Sequence, residues 1–311
     1  MSHPPLRRPG PARLLIFLAM TLAVLCLALW LDTALSFDGQ PGISRTLSHN
    51  DFSAACTSAK PSAVAAPLAM PQVQAETQTP SLDRHGQLRV SVWNIYKQSL
   101  PGWDRRLTEQ LHSQQLVLLQ EVGLTPALAA LLRRNHSQTL LAKAFRWQDT
   151  VYGVMNISRN VAGDGCAELA TEPWTRIPKA AILAYYPLSN GQRLLVINLH
   201  GVNFSWDLVG YRRQLQSLVR VLARHTGPVI FAGDINTWRQ ARQQMLDDAL
   251  LPQGLTEASL MPDLRRRVMG LPLDHLYYRG LTQLDGEALS TPASDHNLLS
   301  VSFGLMPTQT Q

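Results

Sequence analysis

Cysteine is scarce in this chain. Only Cys26, Cys56 and Cys166 occur in 311 residues. There is no CxxC pair and no Cys/His cluster, which excludes a structural zinc site of the finger or ribbon kind. Charge is sparse as well, at 16% against 45% hydrophobic residues. That balance excludes a disordered chain and suits a globular protein with a substantial core. No segment repeats, and strands and helices mix without the strict alternation of an α/β barrel. Arg7-Arg8 is followed by Pro9-Gly10-Pro11, a poor match to a twin-arginine export signal.

What the N-terminus does have is one long uncharged run, "LLIFLAMTLAVLCLALWL", Leu14 to Leu31. Its length suits a membrane-spanning helix better than the shorter core of a cleaved signal. Arg7, Arg8 and Arg13 precede it, whereas Asp32 and Asp38 follow, so the positive-inside rule puts the N-terminus in the cytoplasm and exports the rest. Ala34 and Ser36 leave signal cleavage and secretion as the alternative. On the exported side Cys56 and Cys166 allow one disulfide, which would tie the following arm to the globular part.

These features divide the chain into a basic cytoplasmic tail (1–13), a transmembrane anchor (14–31), a linker arm (32–87), a globular domain (88–304) and a tail (305–311). The arm is rich in Ser, Ala, Pro, Thr and Gln and lacks periodicity. In the domain, "LRVSVWNI", "LVLLQEV", "TVYGVMNIS", "AAILAYYP", "QRLLVINLHG", "PVIFAGDIN", "LDHLYYRGL", "TQLDGEALS" and "LLSVSF" read as strands. Helices are predicted in "DRRLTEQLHSQQ", in "TPALAALLRR" with Thr125 as its cap, from Leu208 to Leu222, and after Thr237. The pattern predicts an α+β (α/β) domain of two packed sheets with helices on their outer faces.

Polar residues collect where these apolar runs end. Asn94 lies in "VWNIYK", Glu121 ends "LVLLQE", and Asn198 and His200 end "LLVINLH". Asp234 and Asn236 end "VIFAGDIN", Asp274 opens "LDHLYY", and Asp295-His296 lie in "ASDHNLL". Each alone would pass for a turn or cap residue. Six such segments point to a shared site. Glu121 and Asp295 are hard oxygen donors suited to Mg²⁺, which keeps open positions for water and phosphate oxygens. Such an ion polarises a phosphoryl group and stabilises a leaving oxyanion. His296 titrates near neutrality and Asp274 is the residue to orient it.

In this order, "WNIYK", "LLQE", "INLH", "GDIN", "LDHLYY" and "SDHN" resemble the endonuclease/exonuclease/phosphatase superfamily, the fold of deoxyribonuclease I, from about Arg89 to Phe303. Within it the chain looks like the YafD-like bacterial branch, which does not supply a substrate. The resemblance implies a four-layer sandwich with Mg²⁺ (or Mn²⁺) as cofactor. It implies Asn94, Glu121 and Asp295 as the metal site. His200, Asp234, Asn236, Asp274 and His296 become catalytic, with His200 on the scissile phosphate as a contact or the general acid, and His296 a base or a phosphate contact. A carboxylate partner for His200 is not evident, with Asp149, Glu168 and Glu172 as loose candidates.

The expected function is therefore a metal-dependent phosphodiesterase, exported and anchored in the bacterial inner membrane with its domain in the periplasm. The net charge of +6 favours a nucleic acid substrate. A phospholipid or sphingolipid headgroup is the alternative, and an inactive scaffold on the same fold is a third reading. No obligate protein partner is implied. Arg265, Arg266 and Arg267 in "PDLRRRVMG", together with Lys179, are expected to grip the substrate phosphate. Trp174 in "EPWTRIPK" and Phe204 and Trp206 in "NFSW" fall on loops, open to base stacking, lipid contact or core packing.

Overall fold

A computed structural model describes residues 20, 35–36, 41–45, 56, 80–159, 161 and 163–307. The expected anchor, Leu14 to Leu31, lies outside the described residues except for Met20. Among the described residues, no helix is long and apolar enough to cross a membrane.

Two sheets pack face to face. The first runs in the order β1 (Leu35–Ser36), β5 (Gln138–Trp147), β6 (Thr150–Ser158), β4 (Leu116–Gly123), β3 (Gln87–Asn94), β16 (Leu298–Leu305) and β15 (Leu281–Leu289). In it β2 (Gly42–Ser44) also pairs with β5. The second runs β11 (Thr256–Glu257), β14 (Asp274–Arg279), β10 (Val229–Asp234), β9 (Arg193–His200), β8 (Pro178–Pro187) and β7 (Asp164–Thr171). A separate ribbon pairs β12 (Arg267–Val268) with β13 (Leu271–Pro272).

Each sheet holds one parallel pair, β3 with β4 and β9 with β10. Parallel neighbours need a crossover, and a helix supplies each. Helix α1 (Trp103–Ser113) links the first pair and α3 (Val209–Leu222) the second. Helix α2 (Pro126–Arg134) joins α1 on the first sheet, and α4 (Gln240–Leu250) joins α3 on the second. Thr125 caps α2, its hydroxyl accepting from the Leu128 amide at 3.2 Å.

The strands alternate between two apolar layers, as period-two side chains must when both faces are covered. Val90, Val92, Leu116, Leu118, Ile230 and Ala232 face the layer between the sheets. Trp93, Val117 and Leu119 pack under α1 and α2, while Val229 and Phe231 pack under α3 and α4. The result is the helix–sheet–sheet–helix sandwich expected from the sequence.

Two pairs of strands were not legible beforehand. Strands β5 and β7 read as neither strand nor helix in "QTLLAKAFRW" and "DGCAELAT", because Ala, Lys and Gly dilute the β-branched signal. In the arm, β1 and β2 extend the β5 edge, and Cys56 and Cys166 form the disulfide expected to tie the arm to the domain.

Candidate active site

Toward the C-terminal ends of the parallel strands the inter-sheet layer turns polar in two steps. The first is an amide layer. Buried Asn198 donates to the carbonyls of Leu119 (3.3 Å) and Met155 (3.2 Å) and to Asn156 Oδ1 (2.9 Å), and accepts from Gln120 Nε2 (2.7 Å). This ties the two sheets together directly beneath the site. Asn198 is thus a strut rather than a reacting group.

One residue pair further on stand the titratable groups. Asp234 lies in register with His200 on one side and Asp274 on the other. Period-two alternation carries Asp234 onto the inter-sheet face, after Ile230 and Ala232. Gly233, between them, has φ +140°, and a Cβ there would lie 1.9 Å from the Leu199 carbonyl oxygen. Only glycine fits that close approach.

Glu121 arrives differently. Plain alternation after Leu118 and Gln120 would point it to the helix layer. A β-bulge between Leu119 and Val122, with Glu121 at φ +53°, returns its carboxylate to the cavity. Tyr96, Lys97 and Gln98 follow Asn94 with φ of 50°, 54° and 57°, three consecutive left-handed residues. Such a turn is costly and persists where the surroundings over-determine it. It lays the Lys97 ammonium on Glu121 Oε2.

A cavity of about 430 Å³ opens here, lined among others by Glu121, Lys179, His200, Asp234, Asn236 and His296. Lys97, Arg266 and Asp295 also reach it. Asn94 and Asp274 stand behind the wall, both buried. Asn94 Nδ2 donates to Asp234 Oδ2 (2.9 Å), and its Oδ1 accepts from the Tyr96 amide (3.0 Å). Both ends of this amide are engaged within the protein, so Asn94 orients Asp234 rather than serving as the expected metal ligand. Asp274 accepts from His296 Nδ1 with both oxygens, at 3.0 and 2.8 Å. The Ser294 hydroxyl donates to the Asn94 carbonyl (2.6 Å) and Trp93 Nε1 to the His296 carbonyl (3.2 Å), which staples the Asp295–His296 loop to β3.

Electrostatics separates the groups. Burial alone would lower the basicity of His296, but Asp274 and Asp234 outweigh it and push the imidazole up to about 10. It is an imidazolium at neutral pH, with Nε2 3.9 Å from Asp234 Oδ2. A charged ring suits a phosphate contact better than the role of base. Burial raises Asp234 well above the ordinary carboxylate range, an effect His296 only partly offsets. Burial and Lys179 hold His200 well below its usual value. Lys179 Nζ lies 2.9 Å from His200 Nε2. An ammonium has no acceptor, so it must donate and Nε2 must accept. His200 therefore does not offer that nitrogen's proton to a phosphate, and the general-acid role does not fit. Burial would raise Glu121, yet His200, Lys97 and Lys179 bring it down to about 2.

The arginine triplet divides. Arg266 alone reaches the cavity. Arg265 donates to Asp263 Oδ1 and Oδ2 (both 2.9 Å), Glu257 Oε1 (2.6 Å) and the Asp274 carbonyl (3.2 Å). Arg267 donates to Asp263 Oδ2 at 2.7 Å. These two brace the wall near Asp274 rather than meeting substrate, because nearby carboxylates satisfy their fixed forks of donors.

Lys97 and Arg242 were missed in the sequence, and Glu172 stood there only as a loose candidate partner for His200. Glu172 accepts from the amides of Asn203 (2.6 Å) and Phe204 (3.0 Å) and sits 4.0 Å from Lys179 Nζ. It holds a loop rather than pairing with His200. Buried Arg242 donates to the carbonyls of Asn236 (2.6 Å), Asn203 (3.2 Å) and Val202. It clamps the two loops that carry the cavity rim. Sequence carried no signal for these, since Glu172 and Arg242 act on backbone groups of distant loops and Lys97 reaches the Glu121 carboxylate only through the left-handed turn after Asn94.

A metal fits this donor set. Asp234, Asp274 and His296 each offer a ligand atom within 4.8 Å of the others. That group is already knit by the His296–Asp274 hydrogen bonds. Glu121 is the better anchor, anionic at every physiological pH and already facing one cation, with exposed Asp295 on the same cavity.

A two-sheet sandwich with carboxylates, a His–Asp pair and cations at its parallel strand ends is a phosphoesterase architecture. The chain belongs to the endonuclease/exonuclease/phosphatase family, whose model matches residues 91–296. A UPF0294 protein of Vibrio cholerae serotype O1 is 44% identical over 230 residues, covering 74% of this chain and 82% of the relative. One from Yersinia pseudotuberculosis is 40% identical over 216 residues, covering 70% and 83%. These relatives agree with the YafD-like branch. Among solved structures, a mannosyl-6-phosphatase of Bacteroides thetaiotaomicron superposes with a TM-score of 0.55 at 15% identity, over 70% of this chain and 99% of that one. Humanized D. rerio TDP2 does so at 0.54 and 19%, with the same coverage. At these identities the likeness is one of fold.

Proposed function

We propose that this chain is a Mg²⁺-dependent phosphoester hydrolase, exported and held at the membrane by its N-terminal apolar run. The observation that carries it is the placement of Asp234: buried, oriented by Asn94, and facing the ring edges of His200 at 3.6 Å and His296 at 3.9 Å. The Cys56–Cys166 disulfide supports an oxidising compartment.

Asp234, with its raised proton affinity, takes the proton of the attacking water. His296, locked by Asp274, donates from Nε2 to a non-bridging phosphoryl oxygen. Lys179 adds positive charge on the same side, its ammonium steadied by His200 and Glu172. Together they meet the negative charge that spreads over the phosphoryl oxygens during in-line attack, while the ester P–O bond opposite the water breaks and the departing oxygen takes a proton from solvent. Glu121 and Asp295 would hold Mg²⁺, which polarises the phosphoryl group when bound.

The substrate is a nucleic acid or a lipid headgroup. The nucleic acid reading leans on the net charge of +6, while of the arginine triplet Arg265 and Arg267 are paired with Asp263. The test is hydrolysis of bis(p-nitrophenyl) phosphate by the full chain in detergent with Mg²⁺. Turnover should vanish with EDTA and in Asp234→Asn. Turnover that survives both, or its absence from the wild type, would overturn the assignment.

A further inference from the structure

Beside the catalytic cavity lies a second groove of about 430 Å³, lined mainly by Trp174, Phe204, Trp206, Trp238, Val268 and Leu273. The two share Phe204, Asn236, Val268 and Leu273, so the groove continues the catalytic cavity. Its apolar residues are not tucked away. Trp174 is 77% exposed, Trp206 66% and Phe204 59%, while Met269, at the tip of the β12–β13 ribbon, is 75% exposed. They come from three separate loops on one rim. Scattered exposed apolar residues are ordinary, but a patch of this kind marks an interaction site.

Two further observations say what covers it. First, the Arg239 guanidinium lies over Trp206 at 5.3 Å and over Trp238 at 5.8 Å. Aromatic rings with a cation beside them suit a bilayer interface, where one end is apolar and the other wet. Second, the tether enters on this face. Leu35 pairs with Trp147 at the tip of the β5–β6 hairpin. Phe145 and Tyr152 of that hairpin, stacked at 5.1 Å, line the catalytic cavity. The apolar run ends at Leu31, four residues before Leu35, a reach of at most about 14 Å. An anchor ending within that reach of the β5–β6 hairpin would hold the mouth of the catalytic cavity near the bilayer.

We propose that this aromatic rim docks on the lipid bilayer and that the groove seats the acyl part of a lipid phosphoester, placing its headgroup phosphate at Asp234. The inference rests on the phosphoesterase reading and on the anchor. A nucleic acid strand would instead need free cations along the groove. The described residues that line it include no lysine or arginine, and Arg239 beside it lies on the tryptophans.

The test uses the full chain with Trp30→Phe, which removes the tryptophan of the apolar run, reconstituted in phosphatidylglycerol vesicles brominated along the acyl chains. Bromine quenches tryptophans that enter the bilayer. Emission should be quenched, and Trp174→Phe with Trp206→Phe should remove most of the quenchable part. Quenching that is unchanged by the two replacements, or absent, overturns the proposal. So does quenching of the same two residues by a single-stranded oligonucleotide on the detergent-solubilised protein, with none by the vesicles. The signal needs no turnover. A wild-type protein that shows it but does not hydrolyse bis(p-nitrophenyl) phosphate would refute the hydrolase reading while leaving the docking surface in place.

Discussion

The two sheets deliver their halves of the active site by different means. The second sheet uses plain register: His200, Asp234 and Asp274 stand in one row across β9, β10 and β14. The first sheet uses distortion: Glu121 depends on a bulge, and Lys97 on a left-handed turn of three non-glycine residues. In the proposed mechanism the regular half carries the proton chemistry, where groups must be held in fixed mutual geometry, and the distorted half carries the cation site. Strain there persists because Lys97 and Glu121 hold each other, and because Gln98 exchanges hydrogen bonds with the Gly123 backbone at 2.9 and 3.0 Å.

This difference can be broken most severely at Asp234. Asp234→Asn keeps the shape and removes the proton acceptor, so kcat on a soluble phosphodiester should fall by about 10²–10⁴-fold, the range of general acid–base catalysis. Next is Gly233→Ala, one residue back. Its Cβ meets the Leu199 carbonyl, so thermal unfolding should show a loss of about 3 kcal/mol, at the upper end of overpacking costs. An unchanged melting temperature would show that β9 and β10 yield more readily than their register implies.

The distorted half should respond in cation affinity. Glu121→Gln should raise the Mg²⁺ concentration for half-maximal activity by about 10–100-fold, a loss comparable to those seen when metal-site support is removed. Lys97→Met should lower it, since the ammonium competes for Glu121. A rise in Lys97→Met would show that the lysine supports the cation site instead of competing for it.

The smallest effect is on stability against pH in the metal-free protein. His296 binds its proton more tightly when folded, about 10 against the ordinary histidine value of 6.5. Its contribution is therefore complete below about 6.5 and is lost as pH rises toward 10. The wild-type melting temperature should fall across that window more steeply than that of His296→Asn. Parallel curves would remove the charged His296–Asp274 pair from the account.

Legibility followed the same division. Asp234, His200 and Asp274 stood out because each ends or opens an apolar run, and a regular strand delivers its last inward residue predictably. Glu121 stood out by its residue type, but plain alternation aimed it at the wrong layer. The arginine triplet looked like a phosphate clamp because a run of charge shows nothing of its partners, and Asp263 and Glu257 claim two of the three.

By itself the sequence determined the layered α+β sandwich, the family and the membership of the polar cluster, because period-two patterning and strand-end chemistry are local. Tertiary structure alone decided the roles. Proton affinities at His200, Asp234 and His296 depend on which charges meet across the inter-sheet layer, and burial magnifies those encounters. It also decided that Trp174, Phe204 and Trp206 stand outside on one rim beside the cavity, since the loops that carry them meet only when the second sheet is assembled.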